Sequence, residues 1–462
     1  MLIGPSSPRQ PLTAAAGRGT MMPMGRDLTG RGGPEHAGTD TLAGRRQRVR
    51  AIVGAGTGNA LEWYDWNIYA FFAPFIAAQF FPPGNSALLA TLGVFAVSFL
   101  MRPLGSILFG WFADRHGRKL SMLLSVALIS SGSLLIGIAP TYTDVGLTAS
   151  VVLVLARLLQ GLAYGGEIIV SYTYVAEVAP VGRRGLWSSA VYVSAILASL
   201  VAALLGAALT TMLTRQEMAD WGWRVPFLVG GALGIVILFL RRMLSESPLF
   251  ERVQNERRTA ERASLLHGIW QHRTSALRVI GYIAGGAVFF YTWVVAVPAY
   301  AIAVKHVPPS SAFWSGVVAF SIMVAVLPLA GALSDRIGRR PVLLVSSVGA
   351  AVLSFPLNRM IQGETWQLML SMSLACVVIA PAASILPAWL AELFPTGIRA
   401  SGMGLSYSLV VALCGGTAPY LQTWLSTNGH GDAFLGYTVA LSLVGTAVVL
   451  LTRETKGEPL AS

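Results

Sequence analysis

Apolar residues run in long stretches through most of the chain, with short polar segments between them. The stretches predict helices over about 51–80, 88–112, 120–139, 148–174, 187–212 and 225–243. Six more follow over about 279–303, 313–333, 341–360, 367–390, 401–425 and 434–452. Each is near the roughly 20 residues that carry a helix across a bilayer's hydrocarbon core. Barrel strands would show as short alternating segments, and the chain has none. A helix satisfies its own backbone polar groups in lipid, so the pattern predicts an all-α membrane protein of twelve transmembrane helices. They fall into two six-helix pseudo-repeats, 45–243 and 279–462, the second ending in a short tail. Between them residues 244–278 form a charged linker. Residues 1–44, rich in Gly, Pro, Thr and Arg without a period, read as a disordered segment. That segment lacks the apolar core of a signal peptide, and Met21, Met22 and Met24 are alternative starts.

Composition sharpens this picture. Residues are 54% hydrophobic and 12% charged, against about 25% charged in an ordinary soluble domain. The net charge of +12 does not point to nucleic acid, because the basic residues are spread over loops between spans. They are spread unevenly. Arg45, Arg46, Arg48, Arg50, Arg115, Arg118, Lys119, Arg183, Arg184, the arginines of 241–278, Arg336, Arg339, Arg340, Arg399, Arg453 and Lys456 fall on alternate loops, while the others hold little beyond Arg215, Lys305 and Arg359. The positive-inside rule then puts both termini in the cytoplasm. Cys376 and Cys414 lie within apolar runs, which argues against a disulfide. No metal-ligand cluster, phosphate loop or nucleophile–base pair is visible, so neither a cofactor nor an enzyme is expected.

The halves repeat one another. DRHGRK at 114–119 returns as DRIGRR at 335–340, and AEVAPVGRR at 176–184 returns as AELFPTGIR at 391–399. Each cluster joins the same pair of spans in its half, as in a transporter whose substrate site lies between parallel repeats. Positive-inside anchoring alone would explain the arginines. It would not explain Asp114 and Asp335, Gly117 and Gly338, or Glu177 and Glu392. A Gly turn lets two helices meet closely, an aspartate is favoured at a helix N-terminus, and ion pairs at helix ends make a latch with two states. Asp114, Arg115, Gly117, Arg118, Glu177 and Arg184 are therefore the expected main cytoplasmic gate. Asp335, Gly338, Arg339, Glu392 and Arg399 are its expected weaker copy.

GWFADRHGRK at 110–119 with RLLQG at 157–161 resembles the major facilitator superfamily. GNALEWYDW at 58–66, RPLGSILFG at 102–110, RLLQGLAYGGE at 157–167, WGWRVPF at 221–227, ESPLFE at 246–251, AELFPTGIRASG at 391–402 and GGTAPYL at 415–421 resemble its metabolite:proton symporter family. The resemblance covers about 51–458. It implies the major facilitator fold and uptake of a small carboxylate or zwitterion, such as oxoglutarate, citrate, shikimate, proline or betaine, driven by the proton gradient. It also implies a multi-pass protein of a bacterial inner membrane, expected to be a monomer, with its substrate, the proton and the bilayer as partners. The chain departs from the family at Trp66, where Phe is usual, at Ser408, where Asn is common, and in spans five and seven, which are less polar than expected. These departures bear on the substrate.

Charges within the spans give the candidate site. An ionisable group at a helix centre costs roughly 2.5–3.5 kcal/mol on insertion scales. Glu62 and Asp65 in span one share a helical face with Asn59, Trp66 and Tyr69, and Glu62 lies about 17 Å along the helix from Ala51. Two carboxylates one turn apart in a low dielectric interact strongly, as a proton carrier requires; the plainer reading is a structural pair neutralised by arginine. Glu167 is a third candidate, on a face of span four with Gln160, Tyr164 and Ser171. Arg157 is a candidate partner for the span-one carboxylates or for a substrate carboxylate. Arg102 is a second such candidate, unless it reaches for the membrane surface. Tyr291, Trp293 and Ser408 complete the candidate substrate contacts. Pro381 and Pro387 predict a bend in span ten, and Gly415, Gly416 and Pro419 one in span eleven. A drug:proton antiporter on the same fold is the alternative, but VAALLGAAL at 201–209 lacks the Pro that such exporters typically carry in span five. A receptor built on the fold is a third class, and would bind without proton-coupled flux.

Overall fold

The computed structural model describes residues 42–84, 86–116, 118–164, 172–173, 175–176, 179–243, 272–395 and 399–457. Side chains are not described for some of these, Asp114 and Arg118 among them. Residues from Arg48 onward group into one unit. Among the described residues all regular structure is helical. Among the described residues ten segments are long and apolar enough to cross a membrane: Ala87–Phe109, Lys119–Ile138, Arg184–Met212, Gly222–Leu240, Arg273–Ala303, Pro309–Ile337, Arg339–Met360, Thr365–Glu392, Gly402–Thr427 and Gly431–Leu451. Two further helices take the places of spans one and four. Leu42–Phe71 continues after a break at Phe72 as Ala73–Phe80, and Leu147–Ala163 is the described part of span four. Large apolar side chains such as Ile107, Leu155, Phe239, Leu329 and Val352 lie exposed on the outside of the bundle, as lipid-facing residues do.

Within the halves, span two packs on four, three on six, seven on twelve and nine on twelve. Polar residues inside the spans often bond back to their own helix, as Ser98 does to the Val94 carbonyl and Thr438 to that of Phe434, so they enter apolar surroundings already satisfied. The most extensive contact crosses between halves, where span five runs along span eight. At one end a Cβ on Gly185 would stand 2.6 Å from the Gly331 carbonyl oxygen, so the two backbones touch there. At the other end Phe313 packs over Gly206, and Trp314 Nε1 donates to Thr211 Oγ1 at 3.4 Å. On that same side Phe71 and Phe72 of span one meet Phe313 of span eight, with ring centroids 6.4 and 5.2 Å away. The halves thus touch at both ends of the seam.

Span ten, Thr365–Glu392, runs unbroken as one helix through Pro381 and Pro387, where a bend is expected. The irregular backbone lies in spans seven and eleven, as π-helical turns at Tyr291–Ala296 and Val411–Gly415. Each comes just before a proline, Pro298 and Pro419. A proline ring collides with the carbonyl four residues earlier, and widening the helix by one residue relieves the collision. Span eleven is therefore irregular where expected, as a widened turn, while span seven carries a second such turn that its apolar pattern does not mark.

Candidate functional site

Span one fans its polar side chains out to different neighbours. Asn59 Nδ2 donates to the Val191 carbonyl at 3.0 Å and to Ser194 Oγ at 2.9 Å, fastening span one to span five. Tyr69 donates its phenol to the Thr91 carbonyl of span two at 3.0 Å. Both side chains are thus engaged in holding helices together.

Asp65 lies at the centre of a buried network. It accepts from Arg157 Nη1 at 3.0 Å, from Gln160 Nε2 at 2.9 Å, and from the hydroxyls of Ser133 and Tyr164. All four donors come from spans three and four of its own half. Arg157 is fully buried; its guanidinium carbon lies 4.2 Å from the Tyr69 ring centre and 4.7 Å from that of Trp66.

Glu62 lies three residues away, yet joins a different group. Arg102 Nη2 of span two donates to its Oε1 at 3.1 Å, and both side chains are buried. The Arg102 guanidinium also stacks over Phe99 at 4.3 Å and over Trp66 at 4.6 Å, so it does not reach for the membrane surface. Its Nε has no partner among the described residues. This pair adjoins the other half: the Tyr291 phenol lies against Arg102, and Tyr291 packs edge-on against Phe99 at 5.2 Å. Gly415 and Gly416 give these rings room, since a Cβ on the first would stand 2.6 Å from Tyr291 and one on the second 2.5 Å from Phe99.

Next to this seam is a cavity. Trp63 of span one, Tyr192 of span five, and Tyr291 and Tyr407 of the second half stand around its near end. Beside it Tyr172 donates to the Tyr192 hydroxyl at 2.9 Å and lies 3.5 Å from that of Tyr407, bridging the halves. Trp293 and Ser408 do not line the cavity: Trp293 is buried against Phe289, and Ser408 is only half-buried. Their neighbours Tyr291 and Tyr407 line it instead. Glu167 and Ser171 lie outside the described residues.

At the end of the bundle that carries the Arg-rich loops, Asp335 of span eight reaches the N-terminus of span five. Its two oxygens accept from the backbone N–H of Gly185 at 2.8 Å and of Leu186 at 2.9 Å, where the helix dipole favours a negative charge. Arg339 donates to Asp335 at 2.8 Å and to Glu392 at 3.4 Å, and Arg184 of the first half approaches Glu392 at 3.9 Å. Arg399 donates to the Ala391 and Phe394 carbonyls, closing the end of span ten. Gly338, at φ 107°, makes the turn between spans eight and nine. The second-half cluster is thus a formed bridge between the halves. Of its first-half counterpart, Gly117 and Glu177 lie outside the described residues, as do the side chains of Asp114 and Arg118. Arg115 is exposed, with its guanidinium over the Trp111 ring.

The tail joins this cluster, which the sequence patterns do not reveal. Glu454 accepts from the backbone N–H of Arg339 at 2.7 Å and of Arg340 at 3.0 Å, and Thr455 donates to Glu392 at 2.6 Å. Partial burial favours the neutral acid, but the backbone N–H groups of Arg339, Arg340, Lys456 and Thr455 together hold the Glu454 carboxyl below its usual range. The one signal in the sequence is an acid just past the last span, in Glu454-Thr455-Lys456-Gly457.

Asp335→Asn should loosen this end. A cysteine at buried Ser189, in a background lacking Cys376 and Cys414, should then react with a thiol reagent about tenfold faster, because hydrogen bonds to a charged acceptor are worth about 1.5–3 kcal/mol each. An unchanged labelling rate would show that the latch does not depend on Asp335.

The model of the family described as "Sugar (and other) transporter" matches residues 51–273 and 301–462. The alpha-ketoglutarate permease of Escherichia coli (strain K12) is 39% identical over 422 residues, covering 90% of this chain and 96% of that protein. The proline/betaine transporter of Salmonella typhimurium (strain LT2) is 29% identical over 427 residues, covering 89% and 84%. Among solved structures, a major facilitator superfamily proton:xylose symporter superposes with a TM-score of 0.69 at 20% identity, covering 90% of this chain and 98% of that one. The inward open xylose transporter from E. coli gives 0.64 at 19% identity, covering 89% and 98%.

Proposed function

The chain belongs to the sugar (and other) transporter family, and from that premise we propose proton-coupled uptake of a small organic carboxylate by alternating access. Family and fold make it a membrane transporter of the major facilitator type. The proposal adds the substrate class, the proton, and a bacterial inner membrane with both termini cytoplasmic. The relatives' names support a carboxylate, because α-ketoglutarate, proline and betaine all carry one. The proton is the only co-substrate the proposal needs.

The observation that carries the reading is the Arg102–Glu62 pair, at 3.1 Å and beside Tyr291 of the other half. A substrate carboxylate takes the place of Glu62 on Arg102, and Glu62 accepts a proton as it leaves. The empty carrier then holds Arg102 with ionised Glu62. The loaded carrier holds Arg102 with the substrate carboxylate and neutral Glu62. Both are electrically balanced at the seam and free to reorient. Substrate with ionised Glu62 would leave an uncompensated negative charge in a low dielectric, which is costly, and this forbids reorientation without the proton.

The test is uptake of labelled 2-oxoglutarate, proline and pyruvate into proteoliposomes with an alkaline interior. At least one should accumulate above its external concentration and lose that accumulation with a protonophore. In the same vesicles, an impermeant thiol reagent reaching a cysteine at Asn428 but not one at Arg336 fixes the sidedness. Counterflow of a carboxylate with no response to the pH gradient would reject proton coupling.

A further inference from the structure

The cavity has one polar end and one apolar lobe, and the lobe restricts what can bind. From Tyr291 and Tyr407 it runs between spans seven, nine, ten and twelve into the second half, past Ile283, Gly286, Ala350 and Leu386. The cavity as a whole offers about 80 Å³ to the centre of a water molecule, several times the roughly 10–15 Å³ that holds one water. Among the described residues none that lines it is charged. Each of its few serine hydroxyls already makes a hydrogen bond within the protein. Ser346 Oγ accepts from the Ala382 N–H at 2.9 Å, Ser442 Oγ donates to the Thr438 carbonyl at 2.8 Å, and Ser347 Oγ accepts from Thr446 at 3.0 Å. Neither Arg102 nor Arg157 lines the cavity itself; Arg102 adjoins it through Tyr291, which lines its near end, whereas Arg157 is turned to Asp65 and Gln160. A second carboxylate extending into the lobe would therefore lie against apolar walls with no cation to balance it, an arrangement strongly disfavoured.

We propose that the substrate is a carboxylate with a single charged head, bound at Arg102, and an apolar body of ring or branched-chain size that fills the lobe of the second half. The proposal rests on the reading of Arg102 as the carboxylate site and narrows the substrate class. It separates this chain from the relative named for α-ketoglutarate, a dicarboxylate. Burial of an apolar body in such a lobe is favourable in proportion to the area it removes from water. Gly286 offers a direct handle: a Cβ built there meets nothing within 4 Å, so a larger side chain at this position grows into the lobe rather than into a neighbour.

The full chain, purified in lipid nanodiscs, is titrated with three 2-oxo acids that share one head: pyruvate, phenylpyruvate and 2-oxoglutarate. Phenylpyruvate should bind at least tenfold more tightly than pyruvate, and more tightly than 2-oxoglutarate. Gly286→Leu, and independently Ala350→Leu from span nine, should bring the phenylpyruvate-to-pyruvate affinity ratio toward one; binding of either acid by a variant shows that it is folded. The proposal is overturned if 2-oxoglutarate binds as tightly as phenylpyruvate, or if both variants keep the ratio. Should all three acids bind and lose affinity in Arg102→Ala without the expected order, the lobe proposal falls while the carboxylate site stands. Should none of them bind, the carboxylate site and the lobe proposal both fall.

Discussion

Glu62→Gln is expected to abolish accumulation of substrate against its gradient, because the empty carrier would hold Arg102 uncompensated, while exchange of internal for external substrate by the loaded, balanced form continues. Gln keeps the shape of Glu62 and remains a partner for Arg102 but cannot titrate. The expectation follows from which groups move relative to which. Asp65 is enclosed by donors from spans three and four, so motion of one half past the other leaves those contacts intact. Glu62 is paired with Arg102, which lies against Tyr291 of the other half, so its surroundings change each time the seam opens. A proton carrier has to be reached from one side and then the other, and the second arrangement provides that. In the wild type, substrate binding should weaken as pH rises, because the substrate replaces a carboxylate that has to be protonated to leave Arg102. In Glu62→Gln that dependence should flatten. The measurement is proteoliposome uptake and counterflow at several external pH values. A variant that still concentrates substrate in response to a pH gradient would place the proton elsewhere.

The placement of the spans is legible because membrane insertion writes itself into sequence locally: an apolar run of the right length is a helix wherever it sits. The repeated Asp-Arg-x-Gly-Arg clusters are legible for a similar reason, since duplication preserves spacing. Their structural use is less so. Asp335 binds the backbone of Gly185 and Leu186, and no side-chain pattern marks a backbone partner in another half. Glu62 and Asp65 share a helical face, which suggests a coupled pair. Three residues are not a full turn, and the divergence sends one toward span two and the other toward spans three and four. Trp293 sits inside the widened turn of span seven, where an extra residue shifts the facing that ordinary helical periodicity assigns. The apolar lobe is out of reach altogether, because its walls come from four helices whose small residues look, along the chain, like any other packing positions.

Asp65→Asn is expected to cost stability first and transport as a consequence. The carboxylate accepts from a guanidinium, an amide and two hydroxyls, all buried. Asn offers one neutral oxygen in place of a charged pair of oxygens, and adds two donors facing a guanidinium and an amide that also donate. Arg157, fully buried, is then left as an uncompensated cation between Trp66 and Tyr69. Breaking a buried pair by removing one partner costs about 3–5 kcal/mol, a large share of any protein's margin. The purified variant should therefore melt at clearly lower temperature than the wild type. Glu62→Gln should lose less, because Arg102, 6% exposed and stacked on Phe99 and Trp66, is less completely enclosed than Arg157. Removing the stranded charge should restore part of the loss: in a double-mutant cycle, Asp65→Asn with Arg157→Gln should be more stable than Asp65→Asn alone, because neighbours in one network do not act additively. Melting curves of these proteins in one detergent settle the matter. If Asp65→Asn melts with the wild type and loses only accumulation against a gradient, then Asp65 rather than Glu62 carries the proton, and the division of roles between the two carboxylates is the reverse of the one drawn from their partners.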